Sequence, residues 1–156
     1  MNDKFIDVYT GKVSVSSKPV ILRVMAIGSC VAVVVYDRNK KIGGLAHIML
    51  PGRSSSGESE ERTKYAEDAI DILLDAAKKL GAGTEDLEVN LVGGADMLGE
   101  GNISKEIASS ALDYLKNLGI EPKSKKTGGA KRRSVSLDIE SGRIFYTEGD
   151  SATEEL

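Results

Sequence analysis

The sequence predicts a single domain of the α/β or α+β class, a sandwich of mixed strands carrying two long amphipathic helices. Three observations lead there. Runs rich in β-branched residues recur between turn signals, as in CVAVVVY before DRNKKIGG. Two longer segments repeat apolar residues at helical spacing. With 40% hydrophobic residues over 156 positions, the chain has enough apolar surface for one core, burying about 70% of what the unfolded chain exposes.

Taken in order, residues 5 to 10 are expected to form an edge strand, and KPVILRVMAIG leads into the segment holding Cys30. CVAVVVY, the turn DRNKKIGG and LAHIML then read as a hairpin, with Cys30 on one strand and His47 on its neighbour or at its edge. PGRSSSGESEE reads as a loop, either a solvated connector or a lid over His47. From Arg62 to Leu80 the spacing predicts a helix ended by Gly81. A second helix is expected after Asn102 as its cap, with Ile103, Ile107, Ala111 and Leu115 on its packing face and Gly119 closing it. LEVNLVGGADMLG reads as strand, glycine turn and loop, and RRSVSLDIESGRIFYTEG as two strands joined around 140–142. The whole chain, 1–156, is read as one domain.

Composition excludes several function classes. The formal net charge is -3, there is no tryptophan and aromatics make up 4%, which leaves neither a global pull toward nucleic acid nor a stacking platform for single strands. MNDKFIDVYTG has no continuous apolar leader segment, and a single cysteine forms no internal disulfide, so the reading is a cytoplasmic protein. The longest apolar run falls far short of the roughly 20 residues a membrane helix needs, so no membrane insertion is expected. PKSKKTGGAKRR is a basic cluster that reads as a solvated loop with a turn at Gly128 and Gly129, or as a contact for nucleic acid or an acidic protein surface, of which the acidic composition elsewhere and the few aromatics favour the protein surface.

Cys30 and His47 are the only cysteine and the only histidine. A thiolate is a strong nucleophile, and a neighbouring imidazole that takes its proton and later returns it to a leaving group supports acyl transfer. Gly28 and Ser29 permit close substrate approach, and their backbone N–H groups suit a developing oxyanion. Gly43 and Gly44 are expected to permit a tight turn before His47. The alternative stays open on residue type alone: a lone cysteine among valines is commonly core, and a lone histidine in an apolar strand is commonly structural. One Cys and one His lack the ligand spacing of a zinc site, and neither a Walker sequence nor GxGxxG is present, so no metal or cofactor is expected. Asp37 and Asp96 fit turn or cap roles as well as site roles.

From about Val20 to Tyr146, IGSCVAVVVYD, IGGLAHIMLP, YAEDAIDILL, LVGGADML, GNI and GGAKRRSVSLDIESGRI resemble, in that order, the CheD family of chemoreceptor glutamine deamidases. The resemblance implies Cys30 as nucleophile and His47 as catalytic histidine. It implies hydrolysis of glutamine side chains to glutamate on methyl-accepting chemotaxis receptors, with glutamate methyl esters as further substrates and the CheC phosphatase as partner. One position departs: Val24 stands where the family carries a threonine six residues before the nucleophile. Valine forms no hydrogen bond to an imidazole, which leaves the orientation of His47 to another polar group or a backbone carbonyl. A non-enzymatic adaptor that binds receptors and CheC is the second reading.

Overall fold

The computed structural model describes residues 4–55, 59–99 and 102–156. Ten strands form two five-stranded sheets, giving an α+β fold. In chain order they are β1 (Lys4–Asp7), β2 (Val13–Ser16), β3 (Val20–Ile27), β4 (Val31–Asp37), β5 (Ile42–Ile48), β6 (Leu87–Gly93), β7 (Ser124–Thr127), β8 (Arg133–Asp138), β9 (Ile144–Glu148) and β10 (Glu154–Glu155). The helices are a short α1 (Ser59–Arg62), α2 (Ala66–Lys79) and α3 (Ile103–Asn117). One sheet runs β1-β3-β8-β9-β10 and the other β2-β5-β4-β6-β7, each with one parallel pairing, β1 with β3 and β6 with β7.

The two sheets stack, and α2 and α3 cover the far side of the second, so β4 and β5 are central and buried on both faces. Along β4, Ala32, Val34 and Tyr36 meet Leu22, Val24, Val135 and Leu137 between the sheets. Val31, Val33 and Val35 face Ile70, Leu73, Ile107 and Leu115 on the helix side. A strand covered twice needs apolar residues at every position, which is why CVAVVVY shows no alternation.

The β4–β5 hairpin forms as expected, with Ala32 opposite His47, but its turn lies at residues 38–41. Asp37 closes that turn by accepting the N–H groups of Asn39 and Lys40, and accepts Gly83 N–H as well. Gly43 and Gly44 therefore make no turn. Both lie inside β5, and packing excludes a side chain at each. A Cβ on Gly43 would stand 2.6 Å from Ile139 Cδ1, and one on Gly44 2.5 Å from Val15 Cγ1 and 2.7 Å from Leu73 Cδ1. A Gly44→Val variant should lose about 2–3 kcal/mol of stability, since overpacking of a dense core forces side chains off their rotamers. Urea denaturation followed by circular dichroism checks this, and an unchanged midpoint contradicts it.

The helix predicted from Arg62 starts later, at Ala66. Leu50 and Tyr65 form a parallel bridge, and Leu50 carbonyl accepts Ala66 N–H, so tertiary pairing holds residue 65 extended and delays the first turn. Both long helices end as expected. Gly81 and Gly119 adopt positive φ, and the N–H groups of Ala82 and Ile120 reach back to the carbonyls of Ala77 and Leu115. Asn102 occupies the cap position of α3 but makes no side-chain cap hydrogen bond. Ile103, expected on the packing face, is exposed. The loop PGRSSSGESEE includes 56–58, outside the described residues. Its first part is tied down: Arg53 pairs with Glu67, Asp68 and Asp71, and Asp68 also accepts Ser54 N–H. No helix among the described residues is long and apolar enough to cross a membrane.

Candidate active site

The site is built where β3 ends, β4 begins and β5 passes beside it. Between Val24 and Ile27 the register of β3 against β8 slips by one residue, a bulge that turns the chain toward Gly28. Ala26 within it has φ +50°, a left-handed conformation that costs an L-residue about 1–2 kcal/mol. Ser134 Oγ accepts its N–H at 2.8 Å and Arg132 donates to its carbonyl at 3.2 Å, which holds it there. An Ala26→Gly variant should therefore gain about 0.5–1 kcal/mol after allowing for glycine's greater freedom when unfolded. A urea midpoint that falls instead contradicts the strain assignment.

After the bulge, the carbonyls of Gly28 and Cys30 accept the N–H groups of Ala95 and Gly94 at 2.9 and 2.8 Å. Because a trans peptide sets N–H opposite the preceding C=O, anchoring Gly28 carbonyl turns Ser29 N–H the other way. No described residue accepts from the N–H of Ser29 or Cys30.

Side chains alternate along a strand, so Cys30, two residues before Ala32, shares its face, and His47 opposite Ala32 points to that face too. Both side chains lie on the inter-sheet side and line one cavity of about 630 Å³ together with Gly28 and Ser29. Gly43 and Gly44 do not line it.

His47 is 6% exposed, and its Nδ1 lies 2.9 Å from Val8 carbonyl. A carbonyl only accepts, so Nδ1 carries the proton and Nε2 is left with its lone pair. Nε2 is buried with no hydrogen-bond partner among the described residues. Cys30 and His47 thus share a cavity without a hydrogen bond between them. Val24, at the position of the family threonine, is buried in the inter-sheet core opposite Val135. Ring orientation falls instead to the Val8 carbonyl, which any residue type could supply and no sequence pattern signals.

Burial acts on both groups in the same sense. It pushes the Cys30 thiol above its ordinary range. It lowers the His47 pKa, against a smaller opposing effect of Val8 carbonyl. The resting pair is therefore a neutral thiol and a neutral imidazole rather than a thiolate and an imidazolium.

The remaining candidates separate. Asp37 belongs to the hairpin turn, while Asp96 lines the cavity and accepts Gly99 N–H through its carboxylate. The basic cluster is not one loop: Ser124–Thr127 forms edge strand β7. Lys123 pairs with Glu88, and the buried Arg133 pairs with Glu148 and donates to the carbonyls of Gly93 and Gly128. Arg132 alone of the cluster reaches the cavity, whose rim also holds Thr10, Met25, Met97 and Leu98. These rim residues carried no signal in sequence beyond the charge of Arg132. No group of three or more His, Cys, Asp or Glu with metal-site geometry occurs among the described residues.

A family model described as CheD chemotactic sensory transduction matches residues 49–148. The match begins after Cys30 and His47, so it carries no information on either. Longer likenesses come from individual proteins. A probable chemoreceptor glutamine deamidase CheD of Methanococcus vannielii is 37% identical over 93% of this chain and 96% of its own length. The chemoreceptor glutamine deamidase CheD of Thermotoga maritima is 38% identical over 86% of each chain. A probable chemoreceptor glutamine deamidase CheD of Pyrococcus abyssi is 35% identical over 89% of this chain and 88% of its own. With a family model matched over most of the chain and relatives aligned nearly end to end, the protein belongs to the CheD family.

Proposed function

We propose that the protein is a chemoreceptor glutamine deamidase using Cys30 as nucleophile and His47 as general base and acid. The observation that carries the reading is the His47 ring: Nδ1 is committed to Val8 carbonyl, and a lone pair remains on Nε2 in a residue that lines the same cavity as Cys30. As Cys30 Sγ attacks the amide carbon of a receptor glutamine, its proton passes to His47 Nε2. The tetrahedral oxyanion takes up the unspent N–H groups of Ser29 and Cys30. Protonated His47 then gives its proton to the departing nitrogen, and ammonia leaves a thioester. Water, deprotonated by His47, attacks that thioester, releases glutamate and restores the thiol. A glutamate methyl ester follows the same course with methanol as leaving group. Neither metal nor organic cofactor enters these steps.

The setting is cytoplasmic, with methyl-accepting chemotaxis receptors as substrates and CheC as partner. Two of the six basic residues of the cluster, Lys123 and Arg133, are held in intramolecular ion pairs, which together with the net charge of -3 favours a protein partner over nucleic acid. The test is mass spectrometry of a receptor cytoplasmic fragment incubated with the protein, together with ammonia measurement. A gain of about 1 Da at defined glutamines, matched by ammonia and dependent on Cys30, is expected for amide hydrolysis. The absence of mass change despite receptor binding would favour the second reading, an adaptor that binds receptors and CheC. Val24 and the missing Cys30–His47 hydrogen bond support that alternative.

A further inference from the structure

Resting on the receptor-glutamine reading, we propose that Arg132 is a specificity residue that binds a carboxylate on the receptor segment, close in sequence to the target glutamine. Arg132 lines the cavity beside Gly28: its Nη1 is 3.7 Å from where a Gly28 Cβ would stand. Gly28 lies two residues before Cys30, and two residues span at most about 7 Å even when fully extended, so the guanidinium stands within one or two residues' reach of the reacting amide. It is exposed, and no carboxylate of the described residues lies within ion-pair distance of it, whereas its neighbours Lys123 and Arg133 are paired. Asp96, the acidic group in the same cavity, is turned to Gly99 N–H. A guanidinium presents a planar fork of donors that matches a carboxylate.

The surface around it is built to receive a peptide chain rather than a small molecule. Of the eight large hydrophobic side chains left exposed among the described residues, Met25, Met97, Leu98 and Ile103 all line this one cavity. Leu98 is 82% exposed, a placement that pure folding does not favour. Methionines adapt to differing apolar partners. The occupant is therefore a receptor segment whose glutamine enters toward Cys30, whose apolar side chains cover this rim, and whose acidic side chain meets Arg132.

Arg132 also donates to Ala26 carbonyl, so the experiment must separate recognition from support of the bulge. Turnover of a receptor fragment by wild type and R132E is compared, using the natural segment and one whose acidic residues next to the target glutamine are changed to lysine. Binding of both fragments is measured in parallel with C30A and with C30A combined with R132E, which needs no turnover. R132E is expected to raise KM and weaken binding about tenfold on the natural segment, with kcat reduced far less, and the lysine segment should restore both. Insensitivity of KM and binding to R132E, or a loss that the lysine segment does not restore, overturns the proposal. Turnover by wild type without any charge dependence would leave the deamidase reading standing and this one refuted. Charge-reversible binding without Cys30-dependent turnover would do the opposite.

Discussion

A Cys30→Ala variant is expected to lose receptor deamidation by about 10³-fold or more, with its fold intact. The sulfur is the atom that forms the covalent bond in the proposed reaction, and no other cysteine can replace it. Cys30 is half-buried at the edge of the inter-sheet core rather than inside it, so truncation to alanine leaves little cavity and should barely move the urea midpoint. Folding and activity then separate cleanly. Ammonia release by C30A equal to that of wild type would remove Cys30 from the mechanism. A Cys30→Ser variant should also be nearly inactive, because a buried neutral imidazole is too weak a base to ionise a serine hydroxyl without further support.

His47→Gln is expected to cost about 10²–10⁴-fold in kcat, the usual contribution of a positioned acid–base group. Glutamine keeps an N–H for Val8 carbonyl but cannot cycle a proton. The wild-type pH profile adds a second test. Because burial lowers the His47 pKa, the base form persists through neutral pH, and the acid limb of kcat/KM should fall below the ordinary histidine value of 6.5. The same shift appears in stability. Between the lowered folded pKa and 6.5 the unfolded chain binds more protons than the folded one, so stability rises with pH there and is lost as pH falls through that window. H47Q should flatten that slope. An acid limb at or above 6.5, or an H47Q variant with the wild-type pH dependence, contradicts the assignment. At the alkaline end, the raised Cys30 pKa means thiolate absorbance and fast alkylation should be absent at neutral pH.

Much of the framework was legible because it depends on neighbours in sequence. The two helices, their glycine stops, the β4–β5 hairpin and the β8–β9 hairpin follow from periodicity and turn chemistry acting over a few residues. The short strands β2, β7 and β10 were not legible. Val13–Ser16, Ser124–Thr127 and Glu154–Glu155 carry no continuous apolar signal, and pairing with β5, β6 and β9 supplies their order. Gly43 and Gly44 show how a local rule misleads. A glycine pair near a turn suggests the turn itself, yet here side chains from Ile139, Leu137, Val15 and Leu73 occupy the space a Cβ would need.

By itself the sequence brought Cys30 and His47 to one hairpin, because a short turn between two apolar runs leaves few other pairings, although Cys30 stands just before β4 rather than within it. It also determined the family, through ordered segments spread along the chain. Only the tertiary structure decided how those residues can work. The carbonyl that orients His47 comes from Val8, 39 positions away, and every residue type offers the same carbonyl, so nothing in the letters marks it. Arg132 is one charge among six in the letters, and folding pairs Lys123 with Glu88 and Arg133 with Glu148 and brings Arg132 alone of the cluster to the cavity rim. The physical reason is range: turn chemistry and helical spacing act along the chain, whereas ring orientation, charge pairing and the room for a side chain are set by atoms that meet only when the sheets close.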